Sequence, residues 1–587
     1  MDVRKIRTTL AIAGVAVIVA VAILLLRPEP GNPKYVFLIC LDAVRPDHLG
    51  CYGYSRDTTP RIDRLAGEGA VFEDAVSQAP WTLPSIATVL SSTFPCQHGA
   101  RRTEGTRAAY GGVSNNFVET LVSNGFETSL FTGGLTLRGK VPAAELSEAA
   151  LEWLRERLDR RCLIVIHHYD THSPYVAGRE CIDRLNPGYE GRFKYSFGDF
   201  ELLKQARVGR LSEVINLSPE ELAHIKSLYD CQIMRGDSSI GLIADSLRAW
   251  GRLDEAMIIV FADHGEEFLE HGSIDHGQTV YEETIRVPLV IYCPSLITGP
   301  RRVGSQVGLI DIGPTILDAV GVEKPSYFEG LSLMPLVSDR FEAPDRPERP
   351  CGLPVTCLIS ESIARRSEKK AIRRPPWKLI YDPFFGAGEL YRISDDPFEQ
   401  DNVIESHRET ASRLTDTLLI MQPYYPGGWC LAWRSLERPG AVRGVVSLGG
   451  EAIEALSHNF LPGIDTETDS LVVTDDWKTV RFSTQAGRGW QGVEIRMPDR
   501  ADAEVTITLG GRLPARTAIG RRAGRPDFPM VITPSEAAVE RKEIHTLFED
   551  PGVECVVYWI DPGAEPTAKR KTQAELRRQL KSIGYIE

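Results

Sequence analysis

Residues 35–47 read YVFLICLDAVRPD, an unbroken apolar run that stops at Asp42. A run without polar alternation is typical of a strand buried on both faces of a sheet. Similar runs recur at residues 162–168, 257–262 and 287–292, and stretches with helical spacing lie between them, at 145–158 and 222–250. This alternation predicts an α/β domain with a central mixed sheet flanked by helices.

The chain of 587 residues is too long for one compact core. Its composition changes after the tract Tyr-Tyr-Pro-Gly-Gly at 424–428, where short β-rich runs and Gly-rich turns replace the α/β pattern. We therefore predict four parts: an anchor and linker at 1–32, an α/β domain at 33–425, a β-rich accessory domain at 426–562, and a closing helix at 563–587.

The N-terminus carries a membrane-targeting pattern. Arg4, Lys5 and Arg7 precede an apolar run at residues 10–26, which Arg27 closes. The length of the run and the positive charges before it predict an uncleaved transmembrane signal anchor, with the remaining chain on the periplasmic or extracellular side. A cleaved signal peptide is the alternative interpretation.

The formal net charge of −13, without a dense basic face, argues against a nucleic-acid partner. An anionic substrate must then be attracted by a local metal ion and a few side chains. No disulfide framework can be read from the odd count of eleven cysteines. Cys351 and Cys357 form the best candidate pair, whereas Cys40, Cys162 and Cys293 lie in apolar runs and are expected in the core.

Polar residues follow three of the apolar runs: Asp42, Asp263 with His264, and the segment 168–175 that contains His172. Ligands of open α/β sheets bind where strands end, so these side chains are expected to converge. Each alone could cap a helix or satisfy a hydrogen bond. Together, Asp42, Asp263 and His264 predict a site for one divalent cation, and their mixed oxygen and nitrogen donors favour manganese or zinc over calcium.

A threonine lies where a loop is predicted to enter a helix. Residues 80–90 read PWTLPSIATVL, and Pro84 suits the first helical turn. A hydroxyl at Thr82 would face the positive end of the helix dipole, and coordination to a metal would complete its activation as a nucleophile. The alternative is that Thr82 only caps the helix.

The motifs resemble one family in chain order. The segments that carry the resemblance are residues 42–53, 59–66, 82–99, 263–265, 286–288, 309–315, 378–380 and 389–402, and the final Ile-Gly-Tyr at 583–585 is similar to that family's tail. Residues 33–425 thus closely resemble the sulfatase family of the alkaline phosphatase superfamily. The resemblance implies an ester hydrolase with Asp42, Thr82, Asp263 and His264 around a metal and Thr82 as the nucleophile.

The same resemblance implies roles for two further histidines. His172 falls on a contact to substrate oxygens, and His276 lies near a position that contacts substrate or protonates the leaving group. Arg45 is a candidate for binding an anionic substrate, although it could instead pair with Asp47. Residues 174–217 are the expected source of substrate selectivity. Glu266, Glu267 and Glu270 are expected on a solvated face.

Two positions depart from the family pattern. Family sulfatases make formylglycine from Cys or Ser in a Cys/Ser-x-Pro-x-Arg motif, but residues 82–86 read TLPSI, so no formylglycine is expected. Ala43 replaces the second acid of the usual Asp-Asp pair. These residues resemble instead the threonine-using phosphotransferases of the superfamily, such as lipoteichoic acid synthases.

Three functions follow for comparison. The first is a metal-dependent hydrolase or transferase of phosphate esters or phosphodiesters that acts through Thr82. Its substrate would be carried on a glycan or a lipid. The second is a sulfate ester hydrolase acting on envelope or extracellular glycans. The third is an inactive glycan-binding surface protein that binds through its β-rich domain.

Overall fold

The computed structural model describes residues 31–100, 116–133, 140–198, 217–342, 349–350, 353–361, 369–382 and 387–420. In the C-terminal part it describes the strands and short flanking segments, at 428–435, 440–448, 452, 454–458, 470–474, 476–486, 491–496, 503–509, 530–532, 545–546 and 553–560.

A seven-stranded sheet forms the centre of the α/β part. In spatial order its strands are β13 (Arg301–Val303), β2 (Ala70–Phe72), β12 (Leu289–Tyr292), β8 (Ala256–Phe261), β1 (Tyr35–Leu41), β5 (Arg161–His168) and β4 (Phe126–Thr132). β1 pairs in parallel with β5 and β8, whereas β12 runs antiparallel to β8 and β2. The sheet is therefore mixed, as predicted.

The predicted central strands are confirmed with one difference. Every residue of β1 is buried, as its unbroken apolar run requires. The run at 287–292 is split into β11 (Arg286–Val287), which pairs with another sheet, and β12. Pro288 lies at the break, where its missing N–H interrupts regular strand pairing.

The described residues of the α/β part form eleven α-helices, several of which pack against the central sheet. They are α1 (Pro60–Glu68), α2 (Thr82–Ser91), α3 (Pro95–His98), α4 (Phe117–Ser123), α5 (Ala143–Arg155), α6 (Arg179–Leu185), α7 (Pro219–Ala249), α8 (Glu282–Ile285), α9 (Ile312–Ala319), α10 (Met334–Val337) and α11 (Arg408–Ile420). α5 and α7 confirm the two predicted helices. α7 begins three residues earlier than predicted because Ser218 and Glu221 form a capping box.

Smaller sheets surround the central one. They comprise β3 (Ala75–Val76) with β11 and β14 (Val307–Gly308); β6 (Tyr175–Val176) with β7 (Ser196–Phe197); β9 (Glu267–Phe268) with β10 (Ile274–Asp275); and the antiparallel set β15 (Leu358–Ser360), β16 (Lys370–Arg374), β17 (Trp377–Asp382) and β18 (Ala387–Arg392). Lys378 on β17 is buried and bonds Glu282 and Glu399, at 3.0 Å and 2.7 Å, so ion pairs fix the last sheet to α8.

The C-terminal part is β-rich, as predicted. One five-stranded sheet contains β21 (Glu454–His458), β24 (Gln491–Arg496), β19 (Gly428–Ser435), β28 (Val553–Ile560) and β27 (His545–Thr546); the other contains β22 (Ser470–Val473), β23 (Thr479–Ala486), β20 (Gly440–Leu448), β25 (Ala503–Leu509) and β26 (Met530–Ile532). All described pairings in both sheets are antiparallel. The predicted closing helix at 563–587 lies outside the described residues, and the domain limits stay predictions.

Among the described residues, no helix has both the length and the apolar character needed to span a membrane. The anchor predicted at residues 10–26 falls outside the described part of the chain.

A disulfide joins Cys181 on α6 to Cys231 on α7, two cysteines 50 residues apart in sequence. The sequence did not indicate this pair, because only the packing of the two helices brings the thiols together. In the candidate pair of Cys351 and Cys357, Cys357 is a free, buried thiol and Cys351 lies outside the described residues. Cys40, Cys162 and Cys293 are free and buried, as predicted.

We expect Cys181→Ser to lower the free energy of unfolding by about 2–4 kcal/mol, because the disulfide constrains the unfolded chain. Chemical denaturation of both proteins measures this difference, and peptide mapping without reductant identifies the linked pair. Cys51→Ser, at a free thiol, is the matched control and should leave stability nearly unchanged. Finding Cys181 alkylated in the native, unreduced protein would contradict the pairing.

Candidate functional site

Two parallel strands bring the predicted metal ligands to one edge of the central sheet. β1 ends at Leu41 and is followed by Asp42, while β8 ends at Phe261, two residues before Asp263. Because Cys40 pairs with Phe261 across these strands, Asp42 and Asp263 follow at matching positions. Donor atoms of Asp42, Asp263 and His264 all lie within 4.8 Å of one another. The structure therefore brings together the three residues that the sequence predicted.

The donor atoms of this cluster fit a cation. Asp42 Oδ1 and Asp263 Oδ2 are buried and have no hydrogen-bond partner among the described residues. His264 Nε2 lies 3.7 Å from Asp42 Oδ1 and 3.4 Å from Asp263 Oδ2. Buried carboxylate oxygens that converge without donors are costly unless a positive charge compensates them. A divalent ion with mixed oxygen and nitrogen ligands meets this need, and such ligands suit zinc or manganese.

The remaining oxygen of Asp263 is held by the backbone. The N–H groups of Ala43 and His264 donate to Asp263 Oδ1 at 3.2 Å and 3.1 Å. Ala43 adopts a left-handed conformation with φ of 57°, and its carbonyl accepts a 2.6 Å hydrogen bond from Tyr229. The backbone of the turn after β1, at Ala43, thus helps to orient the Asp263 carboxylate.

The two carboxylates differ in their ionisation. Burial opposes the charge of Asp42, but the imidazoles of His172, His167 and His264 hold the pKa of Asp42 below its usual range. Burial and the neighbouring charge of Asp42 raise the pKa of Asp263. Two neighbouring buried acids are thus held in unlike environments, which shift their pKa values in opposite directions.

Thr82 is the first residue of α2 and does not take the capping position, which belongs to Trp81. Its Oγ1 lies 3.2 Å from His264 Nε2 and 3.5 Å from Asp42 Oδ2. Thr82 is half-buried, whereas the acids beside it are fully buried. Its hydroxyl therefore lies beside the candidate ligands Asp42 and His264, at the N-terminal end of a helix, where the helix dipole is positive.

His276 joins the cluster on its other side. Its ring centroid lies 4.3 Å from that of His264 and 4.9 Å from that of His172. Nδ1 of His276 lies 2.9 Å from Asp275 Oδ1 and 3.2 Å from Glu266 Oε1. Burial opposes protonation, but these two carboxylates raise the pKa of His276 to about 10. His172 and His276, which the resemblance placed at the site, thus lie near the candidate metal ligands.

His172 differs from His276 in charge. Burial lowers the pKa of His172 to about 4 despite the nearby Asp42, so its imidazole is neutral near pH 7. The loop that carries His172 is held by Lys140, whose Nζ donates to the carbonyls of His172, Asp170 and Pro174. Lys140 was not predicted, because a lysine far from the motifs gives no sequence signal of this contact.

The expectation of a solvated acidic face was wrong for two residues. Glu266 is 0% exposed and Glu267 is 1% exposed. Glu266 accepts a 2.7 Å hydrogen bond from Tyr175 besides contacting His276, and Glu267 accepts from the backbone of Ser273. Tyr175 and His276 thus contact Glu266, and the loop between β9 and β10 donates to Glu267; local composition does not reveal these contacts.

Arg45 lies outside the cluster. It is 6% exposed and forms ion pairs of 2.8 Å with Asp47 and 2.7 Å with Glu270. Its Nη1 also donates to the carbonyl of Glu266. Of the two alternatives for Arg45, these contacts favour pairing with Asp47 and give substrate binding no support.

His167 is a residue of this site that the sequence analysis missed. It is 1% exposed, and its Nε2 lies 3.0 Å from Asp42 Oδ2. It stands inside an apolar run, where a histidine has no distinguishing pattern. His167 pairs with Cys40 on the neighbouring strand, two residues before Asp42. A correct prediction of this strand pairing would therefore have placed His167 near the site.

Comparison with known proteins identifies the family. The sulfatase family model matches residues 34–140 and 119–322, and the model for the C-terminal region of N-sulphoglucosamine sulphohydrolase matches residues 269–422. An uncharacterised sulfatase of Escherichia coli is 24% identical over 70% of this chain and 92% of its own length. The N-acetylglucosamine-6-O-sulfatase of Bacteroides thetaiotaomicron is 22% identical over 64% of this chain and 83% of its own.

Solved structures share the fold. One, in complex with its substrate D-glucosamine-2-N,6-O-disulfate, matches with a TM-score of 0.53 and 20% identity over 67% of this chain and 97% of its own. The phosphonate monoester hydrolase of Agrobacterium radiobacter matches with a TM-score of 0.52 and 18% identity over 66% of this chain and 95% of its own. With both family models spanning the described α/β part, the chain belongs to the sulfatase family of ester hydrolases, within the alkaline phosphatase superfamily.

Proposed function

We propose that this family member is a metal-dependent hydrolase or transferase of phosphate esters, phosphodiesters included, with Thr82 as the nucleophile. The position of the Thr82 hydroxyl carries the proposal. It is 3.2 Å from His264 Nε2 and 3.5 Å from Asp42 Oδ2, inside the donor cluster yet half-buried at the solvent side. A capping hydroxyl would bond to backbone N–H groups of its own helix instead.

The residue type at position 82 favours phosphoryl chemistry over sulfate chemistry. Family sulfatases depend on a formylglycine made from Cys or Ser, and Thr82 cannot supply that aldehyde by the usual route. Ile86 also replaces the arginine of the modification motif. An alcohol nucleophile remains, and it suits a mechanism that passes through a phosphothreonine.

We assign the parts of the first step to residues of this cluster. Asp42, Asp263 and His264 would hold a divalent cation, which would lower the pKa of the Thr82 hydroxyl and offset charge on the phosphate oxygens. Thr82 Oγ1 donates to Asp42 Oδ2, which gives the hydroxyl proton an acceptor. Oγ1 then forms a bond to phosphorus while the bond from phosphorus to the leaving oxygen breaks.

The two histidines serve the leaving group and the transferred group. His172 is the candidate that contacts a nonbridging oxygen; its Nδ1 donates to the carbonyl of Ser173 at 2.5 Å, so its Nε2 would donate to that oxygen only from the protonated imidazole. His276, whose Nδ1 is engaged by Asp275 and Glu266, is the candidate that gives a proton to the departing oxygen. In the second step a water or an acceptor hydroxyl attacks phosphorus and gives its proton to His276, the bond from phosphorus to Thr82 Oγ1 breaks, and Asp42 returns the proton to Thr82.

The substrate that we propose is an anionic ester carried on a glycan or a lipid. Hydrolysis of a sulfate ester is the second candidate function, and it is favoured by the names of the relatives, which include an N-acetylglucosamine-6-O-sulfatase. The substrate D-glucosamine-2-N,6-O-disulfate of one solved neighbour is likewise an anionic sugar. Under this alternative a nucleophile other than formylglycine would have to act.

We also propose that the catalytic domain lies outside the cytoplasm and is anchored by residues 10–26. The disulfide between Cys181 and Cys231 supports this location, because disulfides persist in oxidising compartments and are rare in the cytosol. The basic residues before the apolar run support the same orientation.

Zinc or manganese should stabilise the full chain after treatment with a chelator, because the ion compensates the buried oxygens of Asp42 and Asp263. At a concentration of 100 times its Kd, the ion contributes about 2.7 kcal/mol. Thermal melting with and without the ion measures the effect. Asp263→Asn should abolish it, whereas Asp47→Asn, at an aspartate paired with Arg45, should not. Equal stabilisation of Asp263→Asn would contradict the site.

Thr82→Ala should reduce metal-dependent cleavage of aryl phosphate monoesters or phosphodiesters by about 10³-fold or more, because the nucleophile is lost. Thr82→Ser is the matched variant, and it should retain measurable turnover because it keeps the hydroxyl. Initial rates on phosphate, phosphodiester and sulfate esters, with zinc or manganese, give the comparison. Sulfate ester cleavage that survives Thr82→Ala would refute the threonine mechanism.

A further inference from the structure

His167 is a buried histidine that none of the roles above uses. It lies near the end of β5, and its Cα pairs with Cys40 on β1. Side chains two residues apart on a strand share a face, so Cys40 and Asp42 point to the same side as His167. The imidazole reaches past the end of β1, where its Nε2 lies 3.0 Å from Asp42 Oδ2.

The two oxygens of Asp42 therefore have different surroundings. Oδ2 is contacted by His167 at 3.0 Å and by Thr82 at 3.5 Å. Oδ1 is buried without a hydrogen-bond partner within the described part of the chain, and it faces His264 Nε2 at 3.7 Å. One oxygen is thus held in place by the protein, and the other is left for a cation.

We propose that His167 is a positioning residue of the metal centre, which holds Asp42 so that it offers the cation a single oxygen. This inference rests on the proposed metal site and adds a determinant of metal choice to it. Polar groups behind the ligands fix ligand orientation, and their removal commonly weakens metal binding. The contact matters more here because Ala43 supplies no second acid at the end of β1.

A carboxylate held to one oxygen favours small cations. Zinc binds few ligands at about 2.0–2.2 Å, whereas calcium collects six to eight oxygens and often takes both oxygens of a carboxylate. With Oδ2 of Asp42 engaged by His167 and Oδ1 of Asp263 engaged by two backbone N–H groups, neither acid presents both oxygens. The hydrogen bond of His167 thereby selects zinc or manganese over calcium.

His167 also lies near Cys40 and Asp263, with donor atoms within 4.8 Å of one another. This grouping raises the alternative that the imidazole binds a metal directly. We favour positioning because Nε2 contacts Asp42 Oδ2, which Thr82 also contacts, and not Asp42 Oδ1, which has no hydrogen-bond partner among the described residues. Direct coordination is therefore an outcome that the test must distinguish.

Titration calorimetry of the metal-free full chain with zinc and with calcium tests the proposal. His167→Leu removes the donor and should weaken zinc binding by about 10–100-fold, with a smaller effect on calcium. His167→Gln, whose amide can donate to Asp42, should stay within a few-fold of the native affinity. An unchanged zinc Kd in His167→Leu, or an equal loss in both variants, would overturn the proposal.

Two further measurements keep the result interpretable. Melting of each metal-free variant separates loss of the contact from misfolding, and pulsed EPR of the native chain with Cu²⁺ avoids the variants altogether. The EPR spectrum should show one coordinated imidazole, that of His264, and two coordinated imidazoles would refute positioning. Asp263→Asn serves as the reference: if it leaves metal affinity unchanged, the proposed metal site itself fails, whatever His167 does.

Discussion

The arrangement of the site depends on two buried acids that face each other without a donor between them. Asp42 and Asp263 are both 0% exposed, and one oxygen of each lacks a hydrogen-bond partner in the described structure. Leaving two such charges uncompensated is expensive, and proteins resolve this cost with a cation or a proton. The surrounding side chains are explained most simply as groups that orient these acids toward one cation.

The fold supplies this orientation through rigid elements. Asp42 and Asp263 follow equivalent positions at the ends of the parallel strands β1 and β8, and α2 begins with Thr82 near them. Backbone N–H groups hold Asp263, and His167 contacts Asp42. Lys140 and Glu266 then fix the segments that carry His172 and His276. These contacts hold the candidate nucleophile and the candidate acid near one edge of the sheet.

Much of this could be predicted from the sequence, for identifiable reasons. Unbroken apolar runs ending in Asp42 and Asp263 specify buried strands and a polar edge, and the family motifs add Thr82, His172 and His276. The burial of Glu266 and the pairing of Cys181 with Cys231 could not be predicted, because each depends on segments that only tertiary packing brings together. His167 was missed because a histidine within an apolar run has no local pattern that separates a core residue from a site residue.

The proposed mechanism requires that Thr82 forms a covalent bond to the transferred phosphoryl group. The most direct test is peptide mass spectrometry of the zinc-loaded chain, quenched in acid during turnover of an aryl phosphate ester. We expect a phosphoryl group on Thr82, present only while substrate remains and absent in Thr82→Ala. A phosphoryl group on another residue during turnover, or turnover with no phosphoryl group on Thr82, would contradict this mechanism.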